Sequence, residues 1–395
     1  MQNDSPILAQ LPSDMLIKAL ELIDYMLGAA LRAGDADIVL TEMSERIWAA
    51  GVPLDRSTSI IPLLHAEAVA SARFWERGKG ARSRAFPFQP DSGTEYAKSP
   101  AAEVHQTRKW LTLWLPDTAD DAYNIVPDLK QDGFTHYVMM PVFMVNGMSN
   151  TFSFATRSDD GFSDLDFAFF KAIFPAISAC QEILATHRIM GEVIRMYVGN
   201  EPFERILSGD VHRGQVTRIK SAILFADMRR FTELTADMEA EEATRLLNDY
   251  YDCIVPAIEK NGGEVLKFMG DGILAIFRAT DDELATCTKA AIAAREGLKE
   301  VAGFDGEHNF DVGIALHFGD VAFGNVGSGT RLDYTVIGRD VNLASRVAGL
   351  CGTLDKKLLA TAAFCHRAQG EKTRSLGWYD LKGLSTKEEI FLIST

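Results

Sequence analysis

The sequence contains few cysteines, no long apolar run and no surplus of basic residues. Its five cysteines are scattered without a Cys-x-x-Cys pair, which argues against a zinc site or a disulfide framework and fits a reducing cytoplasm. No run of about 18 uncharged apolar residues occurs, and the first residues lack a basic segment followed by an apolar core, so neither a transmembrane helix nor a secretory signal is expected. The net charge of −15 disfavours nonspecific nucleic-acid binding, because the chain offers no basic field to a phosphate backbone.

The length of 395 residues, 47% of them hydrophobic and 24% charged, predicts two or three folded domains. Apolar residues at helical spacing predict one helix over residues 16–33, ended by Gly34, and a second over residues 37–50. The arginine-rich stretch 73–84 is interpreted as a basic loop.

Residues 136–166 carry a recognisable order of elements. An apolar strand over 136–143 is followed by an Asn146-Gly147 turn, a strand over 151–155, and a helix that begins at Gly161-Phe-Ser-Asp-Leu-Asp166 with Ser163 as its cap. This order resembles the C-terminal half of a GAF-type sensor domain, well over 130–185 and poorly before that. The resemblance implies an α/β sensor domain over residues 1–185 with a pocket for an unnamed small molecule or cofactor.

The ligand of that pocket stays open. Haem is one hypothesis, with His65, His105 or His136 as its ligand, although a lone histidine is more often structural or on the surface. A cyclic nucleotide or a small apolar ligand is equally compatible with the strands rich in phenylalanine and methionine.

A long helix is predicted to follow, from Leu165 towards Val198. Its apolar residues fall on alternating spacings of four and three: Ile173, Ile177, Cys180, Leu184, Ile194 and Val198. This pattern fits either an ordinary helix that faces the core or a parallel coiled coil that dimerises the protein, and we favour the coiled coil. Residues 186–217 are interpreted as a helical linker.

The rest of the chain has the order strand, helix, strand, strand, helix, strand. The predicted elements are a strand over 221–226, a helix over 240–260, a hairpin over 265–277, a helix over 281–301, and strands over 310–317 and 321–323. This order predicts an α+β fold of the ferredoxin-like type, an antiparallel sheet with both helices on one face.

Two aspartates mark the ends of apolar strands in this region. Asp227 ends the first strand, and Asp271 lies between two glycines at the hairpin turn. Alone, Gly270-Asp271-Gly272 is typical of a tight turn. Together, two carboxylates at the ends of neighbouring strands can hold divalent metal ions against a triphosphate.

Residues 218–395 resemble the catalytic domain of class III nucleotidyl cyclases over nearly their whole length. The matching stretches are Phe225-Ala-Asp-Met-Arg-Arg-Phe-Thr232, Lys267-Phe-Met-Gly-Asp-Gly272, Asp333-Tyr-Thr-Val-Ile-Gly-Arg-Asp-Val-Asn-Leu-Ala-Ser-Arg346 and Leu381-Lys-Gly383. Four matches in this order favour an adenylate cyclase that makes cyclic AMP and pyrophosphate from ATP.

The resemblance implies a metal centre and a phosphate site. Asp227 and Asp271 would bridge two Mg²⁺ or Mn²⁺ ions, one acting on the 3′-hydroxyl and one on the β- and γ-phosphates, and the backbone carbonyl of Met228 would contact a metal. Backbone N–H groups at Phe231 and Thr232 would bind phosphate.

The resemblance also implies the nucleotide-binding residues. Lys267 and Thr335 would read the adenine edge, Asn342 would position the ribose, Arg346 would stabilise charge on the α-phosphoryl group, and Lys382 would bind the γ-phosphate. Guanylate cyclases carry Glu and Cys at the purine positions. The ordinary alternatives are a solvated strand residue for Lys267 and a surface salt bridge for Arg346.

The resemblance further implies a homodimer with two active sites, because in the family the aspartates come from one protomer and the other residues from its partner. One departure is Asp320, where some relatives have an arginine that contacts phosphate. The alternatives to an adenylate cyclase are a guanylate cyclase or a nucleotide-binding regulator with weak catalysis. A diguanylate cyclase lacks support, because no Gly-Gly-Asp/Glu-Glu-Phe signature occurs.

Overall fold

The computed structural model describes residues 7–64, 66, 68–87, 92–280, 282–368, 370–384 and 386–394. The chain forms two compact units, one up to Met196 and one from Tyr197 onwards. The predicted haem candidate His65 lies outside the described residues.

The first unit is an antiparallel sheet between two layers of helices. Its elements are α1 (Ser13–Leu27), α2 (Ala29–Ala33), α3 (Ala36–Ala49), β1 (Arg56–Pro62), β2 (Ala68–Glu76), β3 (Gly80–Pro87), α4 (Ser92–Ala97), α5 (Pro100–Thr107), β4 (Leu111–Trp114), α6 (Val126–Gln131), β5 (His136–Phe143), β6 (Ser149–Thr156) and α7 (Asp164–Val198). The sheet order is β3-β2-β1-β6-β5-β4. Alternate residues of β5 face opposite layers: Val138 and Met140 pack with α1, α3 and α7, whereas Tyr137 and Met139 pack with α5 and α6.

Local sequence signals explain most of these boundaries, with two corrections. Ser163 caps α7 as predicted. Its Oγ accepts a hydrogen bond of 3.2 Å from the backbone N–H of Asp166, and the Asp166 carboxylate accepts one of 2.8 Å from the Ser163 N–H. The single helix expected over 16–33 is wrong, because Gly28 (φ −122°, ψ −88°) leaves the helical conformation and separates α1 from α2.

The basic loop expected over 73–84 is also wrong, because this stretch is the β2–β3 hairpin. The register sets Phe74 directly opposite Arg82. The Arg82 guanidinium lies 5.6 Å from the Phe74 ring centroid, so the aromatic ring provides a packing surface for a charged side chain within a strand.

The coiled-coil prediction fails for the first half of the proposed seam. Ile173, Ile177 and Cys180 are fully buried in the core of the first unit, so they are not available to a second chain. Among the described helices, α7 is the one that is long and apolar enough to cross a membrane by length and composition. Of its most apolar window, 39% is buried inside the structure, and the core helix of a soluble protein passes the same test, so this is weak evidence for a span.

His136 is a structural residue of this unit. Its Nδ1 accepts a hydrogen bond of 3.0 Å from the Phe162 N–H, and its ring packs between Trp114 and Phe162. Burial lowers the pKa of His136, which favours the neutral ring that can accept this bond. His105 lies on α5 with its Nδ1 2.8 Å from the Tyr96 hydroxyl.

The second unit is a larger sheet with helices on both faces. Its elements are α8 (Asn200–Leu207), β7 (Val216–Met228), α9 (Phe231–Leu234), α10 (Ala240–Lys260), β8 (Glu264–Met269), β9 (Gly272–Arg278), α11 (Glu283–Gly303), β10 (Val312–Gly327), β11 (Leu332–Ile337), α12 (Arg339–Leu354), β12 (Leu358–Thr361), α13 (Ala362–Cys365), β13 (Thr373–Tyr379) and β14 (Glu388–Ile393). The sheet order is β13-β14-β12-β10-β7-β9-β8, and β11 pairs with β10.

The central part of this sheet has the predicted ferredoxin-like order, β10-β7-β9-β8, with every neighbouring pair antiparallel. Helices α10 and α11 share one hydrophobic core with one face of the sheet, and α12 packs on the opposite face. The two strands expected over 310–317 and 321–323 are one continuous strand, β10. This long strand connects the end of the sheet near Asp227 with the hairpin that carries Thr335.

Candidate functional site

The two aspartates of the sequence motif meet at one end of the sheet. Asp227 is opposite Gly272 in the β7–β9 register, so the β8–β9 turn that carries Asp271 lies beside the end of β7. The turn requires a glycine at position 270, where φ is +66°. Three effects together raise the pKa of Asp227 to about 6: partial exclusion of water is the largest, followed by the charge of Asp271 and a hydrogen bond between the two carboxyl groups.

This pair has the chemistry of a site for hard cations. Two carboxyl groups in contact repel each other once both are ionised, and either a proton or a cation relieves the repulsion. The oxygens of Asp227 and Asp271 are ligands suited to Mg²⁺ or Mn²⁺, so the residues present fit the metal that the family resemblance implies. The described residues contain no group of three or more His, Cys, Asp or Glu side chains arranged for a metal, so further ligands would have to come from backbone, water or substrate. The side chain of Met228 is buried in the core, so only its backbone could contact a metal ion.

Tyr251 supports the turn, and no sequence motif points to this role. Its hydroxyl donates a hydrogen bond to the carbonyl oxygen of Gly270, and its ring lies 4.4 Å from the ring of Phe268, centroid to centroid. The neighbouring Tyr250 is fully buried; burial raises its pKa well above the usual value, and the charge of Asp227 adds to the effect. Helix α10 therefore helps to fix the position of the turn that carries Asp271.

Arg229, within the matching stretch after Asp227, is a structural residue. Its guanidinium donates to the carbonyl oxygens of Cys351 at 3.1 Å and Lys356 at 2.5 Å, and it forms an ion pair of 2.9 Å with Asp355. These are groups at and just beyond the C-terminal end of α12, where a cation also interacts favourably with the helix dipole. Arg229 thus ties the end of β7 to α12.

The chain changes direction immediately after Arg229. Arg230 adopts a left-handed conformation with φ +55°, and the short helix α9 begins at Phe231. Within the described chain, the amides of Phe231 and Thr232 make no backbone hydrogen bond. They lie close in sequence to Asp227 and are open to an acceptor, as the sequence prediction requires.

Lys267 is paired with a residue that the sequence analysis did not single out. Its ammonium group forms an ion pair with the carboxylate of Asp333 on β11, and both side chains are partly exposed. Thr335 lies two residues further along β11, on the same face as Asp333. Among the described residues, no hydrogen bond joins Lys267 to Thr335 itself. The structure therefore brings the predicted purine-reading strands together through Asp333.

Asn342 and Arg346 lie on the exposed face of α12. The opposite face, with Val341, Ala344 and Val347, is buried against the sheet. In the part of the chain that the structure describes, Arg346 forms no ion pair, so the surface salt bridge considered as an alternative is not present there. No hydrogen bond or ion pair among the described residues joins Asn342 or Arg346 to the two aspartates of the same chain.

The beginning of α12 is anchored by Asp340. Its carboxylate accepts a hydrogen bond of 2.8 Å from the Asp320 N–H, and His317 Nε2 lies 3.7 Å from its other oxygen. The nearby His317 ring, together with this amide, holds the pKa of Asp340 below its usual value. A Cβ at Gly319 would lie 2.0 Å from the carboxylate, so only glycine fits there. Asp320 itself is exposed, and its backbone rather than its side chain positions the helix.

Lys382 lies in the turn between β13 and β14, with an exposed side chain and no ion pair among the described residues. No hydrogen bond or ion pair among the described residues joins it to the other candidate residues.

Comparison with known proteins finds relatives of the second unit. The sequence model of the family described as adenylate and guanylate cyclase catalytic domain matches residues 216–395. An adenylate cyclase of Anabaena cylindrica is 35% identical over 179 residues, which are 43% of this chain and 35% of that protein. Adenylate cyclase 1 of Rhizobium meliloti is 25% identical over 268 residues, which are 64% of this chain and 40% of that protein. The chain thus spans less than half the length of these curated relatives.

Solved structures of cyclases are also similar to this chain. The adenylyl cyclase CyaB from P. aeruginosa is 28% identical and covers 46% of this chain and 96% of its own, with a TM-score of 0.41. The guanylyl cyclase Cya2 is 27% identical and covers 45% of this chain and 93% of its own, with a TM-score of 0.38.

Proposed function

Because residues 216–395 form an adenylate and guanylate cyclase catalytic domain, we propose that this protein is an adenylate cyclase that converts ATP into 3′,5′-cyclic AMP and pyrophosphate. In this reaction the 3′-oxygen bonds to the α-phosphorus while the bond to the leaving pyrophosphate breaks. The contact between the Asp227 and Asp271 carboxyl groups carries the proposal. It concentrates negative charge that can bind divalent cations, which in turn can hold the triphosphate of the substrate.

The metal is proposed to be Mg²⁺ or Mn²⁺, two ions in each site, held by Asp227, Asp271 and the backbone carbonyl of Met228. When bound, such ions supply Lewis-acid stabilisation of the phosphate charges and of the attacking oxygen. The role of the protein is to hold the two carboxylates together. The Tyr251 hydrogen bond to the Gly270 carbonyl and the β7–β9 pairing perform this role.

Selection of ATP is proposed to rest on the contact between β8 and β11. The ammonium group of Lys267 donates to N1 of adenine, an acceptor, whereas N1 of guanine carries a hydrogen and would be left facing a second donor. The ion pair with Asp333 supports this assignment, because it restricts the position of the ammonium group. The hydroxyl oxygen of Thr335, on the same strand face, is placed to accept from the 6-amino group.

The remaining candidates bind the ribose and the phosphates. Asn342 and Arg346 share an exposed face of α12, and the unpaired guanidinium of Arg346 is available to the charge that grows on the α-phosphoryl oxygens. The amides of Phe231 and Thr232 and the ammonium group of Lys382 are proposed as further phosphate contacts.

The active unit is proposed to be a homodimer. Asn342 and Arg346 make no contact with Asp227 or Asp271 of their own chain among the described residues, which supports a site completed by a second copy. The first unit, with its GAF-like order of elements, is proposed to act as a cytoplasmic sensor that regulates the dimer. Residues 186–217 are the proposed transmitting linker.

The proposal is tested by measuring cyclic AMP formed from Mn-ATP by the full chain and by Asp271→Ala. Loss of one carboxylate should reduce the rate by at least about 100-fold, as is typical when a group that stabilises transition-state charge is removed. Asp252→Ala, an exposed aspartate on α10, is the matched control and should retain full activity.

Two results would contradict the proposal. A purified, folded protein that forms no cyclic AMP would instead fit a nucleotide-binding regulator. A faster reaction with Mn-GTP than with Mn-ATP would indicate a guanylate cyclase.

A further inference from the structure

The first unit contains a large cavity on the sheet face opposite α1, α3 and α7. Its volume is about 1680 Å³, and its walls are formed by β1, β2, β3, β5 and the helices α4, α5 and α6. Apolar side chains contribute much of the lining, among them Ile60, Val69, Phe86, Leu129 and Met139. This volume exceeds that of a typical small-ligand site, so it can accept a ligand with a substantial apolar body.

Two arginines converge on one aromatic ring in the cavity wall. The guanidinium carbons of Arg56 and Arg82 lie 5.0 Å and 5.6 Å from the centroid of the Phe74 ring. Strand pairing fixes this arrangement, because Phe74 is opposite Arg82 on β3 and close to Arg56 on β1. The aromatic ring attracts both cations but leaves their charge uncompensated.

Neither arginine has a carboxylate partner among the described residues, whereas three other arginines near this sheet do. Arg73 pairs with Asp37 at 2.9 Å, Arg77 with Asp55 at 2.6 Å, and Arg157 with Glu76 at 2.5 Å. Arg56 is only partly exposed, and burial lowers the pKa of its guanidinium. Two neighbouring cations, one partly removed from water, are unfavourable unless an anion joins them.

We propose that this cavity binds an amphipathic organic carboxylate, with its carboxylate held by Arg56 and Arg82 and its apolar body against the lining. Arginine suits this role, because the guanidinium fork matches a carboxylate in two parallel hydrogen bonds. The helical side of the cavity carries the acidic residues Glu95, Asp128 and Asp132. These charges oppose a multiply charged polyphosphate and favour a ligand with a single negative charge.

The test is calorimetric titration of the full chain with three probes that share one ring system: 1-naphthoate, 1-naphthalenemethanol and 1-naphthylmethylamine. The carboxylate should bind at least about 10-fold more tightly than the neutral alcohol, and the amine should bind most weakly.

Two variants test the arginines separately. Arg56→Gln and Arg82→Gln should each weaken 1-naphthoate binding by about 10- to 100-fold and leave alcohol binding nearly unchanged. Arg82 is exposed, so its replacement should not disturb folding, and Arg56→Lys should restore part of the affinity. Arg32→Gln, at an exposed arginine outside the cavity lining, is the control.

The proposal is overturned if 1-naphthoate does not bind, if the alcohol binds as tightly as the carboxylate, or if Arg82→Gln binds 1-naphthoate as the wild type does. Because the readout is binding to the first unit, each result is independent of whether the second unit makes cyclic AMP.

Discussion

At the scale of single residues, the main feature of the second unit is an unfavourable contact between two carboxyl groups. Asp227 and Asp271 lie together although both would be negatively charged in neutral solution. Since the pKa of Asp227 is raised to about 6, the folded protein binds a proton there more tightly than the unfolded chain does. The contribution of this carboxyl group to stability is therefore present at low pH and is lost as the pH rises through about 6.

The direction of this pH dependence gives a prediction for the stability of Asp271→Asn in the presence of EDTA. The amide removes the repulsion, so the variant should have a higher midpoint of thermal unfolding than the wild type at pH 7.5 and no advantage at pH 4.5. Thermal scans at the two pH values measure the difference, with Asp252→Asn as a control at an exposed site. A variant less stable than the wild type at pH 7.5 would show that the contact is not repulsive.

At the scale of elements, α12 is held at both of its ends by residues of the central strands. The Asp320 amide binds Asp340 at its beginning, and Arg229 binds the carbonyl groups at its end. The exposed face with Asn342 and Arg346 is consequently fixed relative to β7 and β10. Two residues of the matching stretches, Arg229 and Asp340, thus have a positioning role.

Arg229→Gln should destabilise the protein by about 1–3 kcal/mol, because it leaves carbonyl oxygens at the end of α12 without their charged donor. Urea unfolding measures this free energy. Arg230→Gln is a closely matched control, since Arg230 is adjacent and exposed. Equal stability of the two variants would mean that solvent replaces the Arg229 contacts without cost.

At the scale of the whole molecule, each chain carries one set of candidate catalytic residues in two groups, and no hydrogen bond or ion pair among the described residues joins them. The pair Asp227 and Asp271 lies at the end of β7, whereas Asn342 and Arg346 project from α12. In the homodimer that we propose, the first group of one protomer would meet the second group of its partner, which would give two equivalent sites.

Complementation between two inactive variants tests this arrangement. Asp271→Ala and Arg346→Ala should each be inactive, but co-expressed chains should regain about a quarter of wild-type activity, because half of the dimers are mixed and each mixed dimer has one intact site. Cyclic AMP formation from Mn-ATP is the measurement. If both groups acted within one chain, the mixture would stay as inactive as its components.

The features that depend on local chemistry can be predicted from the amino-acid sequence alone. Helix α10 and strand β5 follow from periodicity and have the predicted bounds, and Ser163 caps α7 because the capping box needs only neighbouring residues. The ferredoxin-like order of the second unit and the meeting of Asp227 with Asp271 also follow, since both aspartates end strands that pair directly.

Contacts between residues that are far apart in the chain can be seen only in the folded structure. The contacts of Lys267 with Asp333, of Tyr251 with Gly270 and of Arg229 with α12 join residues far apart in the chain, and no periodic pattern encodes them. The arginine-rich stretch 73–84 resembles a loop in sequence, because the contacts that stabilise it as a hairpin are not visible in a local pattern. Its charged side chains fit into strands because β3 is largely exposed, Arg73 pairs with Asp37 on α3, and Arg82 packs on the ring of Phe74 across the hairpin.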